Sequence, residues 1–312
     1  MSRIRSDWSN LCFDILRSIF EGLETKDYHR ARSVCSQWYL VSRSCTRPIW
    51  YPWQLMRDED GTFLGHHSED REFSFEVECL GFDLLKSFVM ASWSSWLLMN
   101  DPSLDFLYLL NVFTREMINL PSMKSYKGKQ TKLTSPLKNL ACFWINERTK
   151  DYVVACITEE NCLFTYKNED DYWWNVEDIY CTHMAYKDDK LYVYTIDSYI
   201  KILDFSGAFP KEIVQGNPYR DHPFCFDNQL GEYGGKTRIA ITNSMDVLIA
   251  VSIKRLQNSR LFYIFKMNFE SSNWERVHSL GGELLIFGHG VTIKDVLFFG
   301  NAYDDIIKGY VC

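Results

Sequence analysis

What this 312-residue chain lacks narrows its chemistry. It has no C-x-x-C pair, and its ten cysteines, at 12, 35, 45, 79, 142, 156, 162, 181, 225 and 312, follow no regular spacing. Such spacing is the usual signature of a disulfide framework or a structural zinc site. In a chain this long they read as buried, reduced thiols. No N-x-S/T acceptor occurs, and the opening MSRIRSDWSN leads into no signal-like apolar run. No apolar stretch approaches the ~18 residues a membrane span requires. Together these absences predict the cytoplasm or the nucleus. Basic excess is missing too: the formal net charge is −7. A general nucleic-acid binder would need cations to neutralise phosphates.

Catalytic signatures are equally scarce. No G-x-S-x-G, H-E-x-x-H or G-x-x-x-x-G-K-[ST] occurs. Gly128-Lys129 lacks the upstream glycine of a phosphate cradle. Gly288-His289-Gly290 lacks the third glycine of a dinucleotide loop and reads as a tight turn. His66 and His67 are adjacent, so on a strand they point apart and make a poor metal pair. The acidic pairs, such as Asp188-Asp189, fall where turns are expected and read as solvated loop tips. The lysines of KSYKGKQTKLTSPLK mark an exposed connection, with contact to an acidic partner as the lesser reading. No catalytic, metal or cofactor set emerges, and Cys12 and Cys35 read as packed within helices.

What is present is apolar and aromatic. Residues of the apolar set make up 46% of the chain and aromatics 16%, enough for one large core and a small one. In LCFDILRSIFEGL (11–23), Leu16, Ile19, Phe20 and Leu23 share one helical face. Asp14 suits the positive end of that helix, and Gly22 marks its stop. TKDYHRARSVCSQWYLVSR then reads as a second helical stretch, with Thr25 as N-cap and Tyr28, Ala31, Cys35 and Trp38 at helical spacing. Two short amphipathic helices cannot bury their faces alone. They need a third helix, a neighbouring domain or a partner. Pattern alone leaves open a plain helical cap on the larger domain.

Residue identities add a resemblance. Leu11, Ile15, Leu16, Ile19, Phe20, Leu23, Asp27, Val34, Cys35 and Trp38 resemble the F-box pattern over residues 8–45. The resemblance implies a helical bundle that docks on a Skp-type adaptor and, through it, a cullin scaffold. Cys12 stands where the family pattern has proline, a residue that pre-sets φ at a helix start.

Past residue 48 the texture changes. Short apolar runs at 97–99, 106–110, 117–120, 141–145, 152–158, 162–166 and 172–174 alternate with turn residues. MAYKDDKLYVYTIDSYIKILDFSG breaks at Asp188-Asp189 and Asp197-Ser198 like successive hairpins. Loose repetition at ~40–50 residues predicts a β-propeller, with a β-sandwich pair as the alternative. Trp144, Trp173, Trp174 and Trp274 are the expected packing anchors. LLMNDP, YLLNVFTREMINLP, LFTYKNEDDYWW and WERVHSLGGELLIFGHG also resemble plant F-box proteins with a C-terminal, kelch-like domain of unknown function. Against those relatives the chain stops early, at IIKGYVC, which implies either an incomplete ring at the C-terminus or a truncated gene product.

The expected architecture is therefore α+β: an all-α module at 1–48 and an all-β, propeller-like domain at 49–312. The expected function is substrate recognition for a Skp–cullin–F-box ubiquitin ligase. Leu11, Cys12, Ile15, Leu16, Ile19, Phe20, Leu23, Val34, Cys35 and Trp38 would build or present the adaptor surface, and the β domain would hold an undefined target protein. The alternatives are a ligase-independent interaction module and, further off, a propeller-fold enzyme.

Overall fold

The computed structural model describes Trp8, most of residues 11–45, strands at 54–57 and 63–66, and most of 87–123, 140–226 and 236–278. It also describes short strands at 284–286, 292–293 and 306–307. The Lys124–Lys138 connection, His67, the Gly288–Gly290 turn and the 48/49 boundary lie outside these residues, as does nearly all of the C-terminal segment that bears on ring closure.

Three helices come first: α1 (Phe13–Gly22), α2 (Thr25–Arg32) and α3 (Ser36–Ser44). α1 stops at Gly22, as its sequence predicts, and carries Asp14 in its first turn. The side chain of Thr25, the expected N-cap of α2, is outside the described residues. The stretch expected as one helix is two. Val34 N–H donates to Ala31 O, a tightened last turn, and Cys35 then adopts an extended conformation as the N-cap of α3. The break is required by packing. On one straight helix Val41 would sit ~15 Å from Ala31 at 1.5 Å per residue. Folded back, both join Leu16, Phe20 and Tyr28 in one core. Phe20 packs edge-on against Tyr28 at 5.2 Å and Trp38 at 5.7 Å, and the buried Tyr28 hydroxyl donates to Ser42 O at 2.8 Å.

The body is β-structure. A hairpin of β1 (Gln54–Arg57) and β2 (Phe63–His66) precedes four antiparallel sheets of four strands each. The first blade holds β3 (Phe88–Trp93), β4 (Trp96–Asp101), β5 (Phe106–Asn111) and β6 (Met117–Asn119). The second holds β7 (Ala141–Ile145), β8 (Tyr152–Ile157), β9 (Leu163–Lys167) and β10 (Trp174–Val176). The third holds β11 (Cys181–Lys187), β12 (Lys190–Thr195), β13 (Ile200–Asp204) and β14 (Lys211–Glu212). The fourth holds β15 (Lys236–Ile241), β16 (Val247–Lys254), β17 (Arg260–Asn268) and β18 (Asn273–Val277). β19 (Leu284–Ile286) lies between β20 (Thr292–Ile293) and β21 (Ile306–Ile307).

In every blade the spatial order follows the chain order. The first strand of each blade lies against the first strand of the next: β3 on β7, β7 on β11, β11 on β15. Sheets whose first strands gather side by side are arranged radially about an axis, which is a propeller and not a sandwich. Second strands such as β4 and β8 are buried on both faces; β8 is covered by the first blade on one side and the third on the other. Met90, Leu98 and Leu109 of the first blade pack with Phe143, Val154 and Trp173 of the second. Val153 and Leu163 of the second pack with Met184, Leu191 and Val193 of the third.

Of the expected aromatic anchors, Trp173 and Trp274 stand out. Trp173 is fully buried and its Nε1 donates to Pro121 O at 3.0 Å, tying the second blade to the end of the first. Trp274 stacks on Tyr219 at 5.9 Å and donates from Nε1 to His222 O at 3.1 Å. Turn chemistry follows the sequence where it is sharpest. Asp188 and Asp189 both take positive φ, 48° and 56°, between the paired Lys187 and Lys190, the two-residue turn that matches strand twist.

The cysteines are less uniform than expected. Cys142 and Cys156 are buried, and burial pushes the Cys156 thiol up to about 12, which keeps it protonated at neutral pH. Cys12 and Cys225 are exposed, and Cys12 and Cys35 precede helices as N-cap residues and do not pack within them. Among the described residues all cysteines are free, no cluster fits a metal ion, and no helix is long and apolar enough to cross a membrane.

Candidate functional site

The face of α1 resolves into two parts. Leu16 and Phe20 are 0% exposed and form the module's own core. Ile15, one position back from Leu16, is 50% exposed. Helical spacing places Cys12, Ile15 and Ile19 on one flank of the buried stripe. Cys12 is exposed and Ile19 half-buried. Val34, in the α2–α3 turn, is 58% exposed and Leu40, on α3, is 60% exposed. Leu11 and Leu23 are half-buried against the core. Cys35 is half-buried at the start of α3. Trp38 is half-buried: its ring packs edge-on against Phe20, and its Nε1 donates to Trp8 O at 2.9 Å. Its truncation therefore falls below the ~3–5 kcal/mol of a fully buried tryptophan. Phe13 and Trp8 add further exposed apolar area.

Cys12 has φ −65° and ψ 154°, the backbone that proline would impose, and its side chain makes no cap hydrogen bond. Its carbonyl accepts from Leu16 N–H at 3.1 Å, a bond that proline preserves. Cys12→Pro is therefore expected to stabilise the protein by about 0.4–1 kcal/mol through the unfolded state. A shift of the urea midpoint upward at constant slope is the check; a downward shift would mean that the Cys12 N–H is in use.

The module is seated on the propeller by α2. Arg32 pairs with Glu147, in the turn between β7 and β8, at 3.3 Å. Its guanidinium lies 5.3 Å from the Tyr39 ring centroid and 5.8 Å from that of Tyr28. Ser94, in the turn between β3 and β4, donates to Glu147. Arg32 and Glu147 keep only 18% and 20% of their side-chain surface, so the pair is largely shielded from water. A cavity of about 360 Å³ lies at this seat, walled by Arg32, Cys35 and Tyr39 on one side and Trp96, Glu147 and Lys150 on the other. Lys150 pairs with Glu116 at 2.6 Å and lies over the Trp96 ring at 4.6 Å.

Removing one partner of a shielded ion pair leaves the other uncompensated. Glu147→Ala is expected to cost about 1–3 kcal/mol. In a double-mutant cycle with Arg32→Ala, thermal melts should show a coupling above about 1 kcal/mol. Strictly additive losses would remove the pair as a latch.

The seat also fixes a polarity. The innermost strands run in the same direction: Ile239 N–H donates to His183 Nδ1 at a separation of 56 residues, and Lys187 Nζ to Thr242 O at 55. Turns between first and second strands, and between third and fourth, therefore share one face of the propeller. The second-to-third turns and the blade-to-blade connections share the other. Every body residue of the seat belongs to the first kind of turn or to the strand ends beside it.

Three turns on the seat side are built alike, a repeat that periodicity in hydrophobicity does not register. Asn111 Oδ1 accepts from Phe113 and Thr114 N–H, Asn146 Oδ1 from Arg148 and Thr149, and Asn268 Oδ1 from Glu270 and Ser271. Four residues after each asparagine stands a left-handed residue: Arg115, Lys150 and Ser272. The signal is legible as NVFTR, NERTK and NFESS. The Arg32–Glu147 pair carries no comparable signal, since it joins two separate units.

Comparison with known proteins bears on both units. The F-box domain model matches residues 8–50, and the KIB1-4 beta-propeller model matches residues 66–296. Putative F-box protein At2g33200 of Arabidopsis thaliana is 53% identical over 312 residues, covering 94% of this chain and 82% of that protein. Putative F-box protein At5g38270 of the same plant is 41% identical over 346 residues, covering 99% and 84%. F-box/kelch-repeat protein KIB1, also from Arabidopsis thaliana, is 33% identical over 321 residues, covering 95% and 78%.

Proposed function

Because this chain is an F-box protein of the KIB1-4 β-propeller family, we propose that it serves as the substrate-recognition subunit of a Skp–cullin–F-box ubiquitin ligase. One observation carries the reading. The helical module closes its own core with Leu16, Phe20, Tyr28, Ala31 and Val41, yet leaves Ile15, Val34 and Leu40 exposed in the presence of the whole propeller. Apolar area kept in water on a module that small supports docking of another subunit. Cys12, Ile15 and Ile19 form the α1 part of that adaptor surface, with Val34 and Leu40 beside them. Leu16, Phe20 and Trp38 hold the bundle that presents it, and Leu11, Leu23 and Cys35 support its edges.

The chain's own part in the reaction is positioning, and the transfer chemistry belongs to the conjugating enzyme. Residues 1–48 bind the adaptor and residues 49–312 hold the target. The Arg32–Glu147 seat keeps the two units in one orientation, so a bound target presents its lysines at a raised effective concentration. The test is co-elution of the purified chain with a Skp adaptor and the cullin N-terminal region in size-exclusion chromatography. A stable ternary peak is expected; separate elution of chain and adaptor at micromolar concentration would end the proposal.

A further inference from the structure

Exposed apolar side chains on the described body are unevenly distributed. They are Tyr180, Ile196, Tyr199, Phe209, Val214 and Phe269, and all but the last lie between residues 180 and 214, around the third blade. Isolated surface apolar residues need no explanation, whereas a concentration on one blade does. Tyr180 is in the connection that enters the blade, and Ile196 and Tyr199 are in its second-to-third turn, where Ile196 N–H donates to Tyr180 O at 3.0 Å. These segments lie on the propeller face opposite the helical module. Between them is a groove of about 500 Å³.

The charged lining of the groove is Asp197, Lys201, Glu212, Arg220 and Asp221. Lys201 pairs with Glu212 at 3.6 Å. That leaves two carboxylates, Asp197 and Asp221, against one guanidinium, Arg220, so the groove has one negative charge in excess beside two tyrosine rings. Carboxylate and aromatic faces together favour a cation. The backbone edge of β13 is already occupied: Ile213 N–H donates to Ile202 O, and Asn217 Nδ2 to Ile200 O at 2.8 Å. An added β-strand is thereby excluded at β13, and its outer neighbour β14 is only two residues long, so recognition in the groove falls to side chains.

We propose that this groove is the target-docking site of the propeller, and that it takes an extended segment presenting a lysine or arginine beside an apolar residue. The proposal rests on the substrate-receptor reading and supplies the partner chemistry that reading leaves open. The basic side chain sits between Tyr180 and Tyr199 against Asp197 and Asp221, and the apolar neighbour covers Ile196.

The test selects binders from a randomised peptide library with the full chain and measures the selected peptides by fluorescence anisotropy. Enrichment of a basic residue next to an apolar one is expected. Asp197→Asn/Asp221→Asn and, separately, Tyr199→Ala are each expected to weaken binding by about tenfold or more, with parental melting temperatures. Raised salt should weaken binding to the parent chain and leave the double asparagine variant nearly unchanged. No enrichment, enrichment of acidic or phosphorylated peptides, or binding indifferent to these substitutions would overturn the proposal. So would self-association of the chain that Tyr180→Ala abolishes, which would make the patch a contact between copies. Adaptor co-elution is read separately: retained co-elution with no peptide binding defeats the groove assignment alone, and lost co-elution defeats the receptor reading.

Discussion

Ile15→Glu is expected to abolish capture of the Skp adaptor while leaving the melting temperature unchanged, and Leu16→Ala, one residue along, is expected to lose both. The two side chains leave the same turn of α1 in different directions. Ile15 is half in water, so a carboxylate there costs the free protein within about 0.5 kcal/mol. In the complex the same carboxylate would be stripped of water opposite apolar groups with no counter-charge. A penalty of several kcal/mol corresponds to a loss of affinity beyond about 100-fold. Leu16 is fully buried among Phe20, Tyr28, Ala31 and Val41. Truncation there costs about 2–5 kcal/mol, toward the upper end where few neighbours can collapse into the space. Biolayer interferometry with immobilised adaptor, alongside circular-dichroism melts of both variants, separates the roles. Unimpaired binding by Ile15→Glu would place the docking surface elsewhere on the module.

Trp173→Ala is expected to be the most destabilising single change in the body, at about 3–5 kcal/mol. The indole is sealed from solvent, packs 5.2 Å from the Tyr166 ring, and reaches across 52 residues to the Pro121 carbonyl. Alanine would open a cavity between the first two blades and leave that carbonyl without its donor. Trp173→Phe keeps most of the packing and loses the hydrogen bond, so its cost should be about 1–3 kcal/mol. Urea midpoints at constant slope read both values. A loss under about 1 kcal/mol for Trp173→Ala would mean that the inter-blade core collapses around the gap.

The apolar runs at 97–99, 106–110, 141–145, 152–158 and 162–166 became strands where the sequence placed them, because alternation and turn residues act over a few neighbours. The break at Ser33–Cys35 did not announce itself. Helical spacing continues through RSVCSQW, and only the need to bring Val41 back to Phe20 requires the chain to turn there.

The sequence by itself determined that a short helical module precedes a long run of strands, which stretch of α1 is amphipathic, and where several hairpins turn. These are local properties, fixed by periodicity and turn chemistry. The tertiary structure alone decided which apolar residues of α1 face inward, that Arg32 meets Glu147, and that the third-blade groove lies on the face away from the helices. Each depends on the packing of segments far apart in the chain, and a side chain's burial is a property of its neighbours in space that no spacing along the sequence encodes.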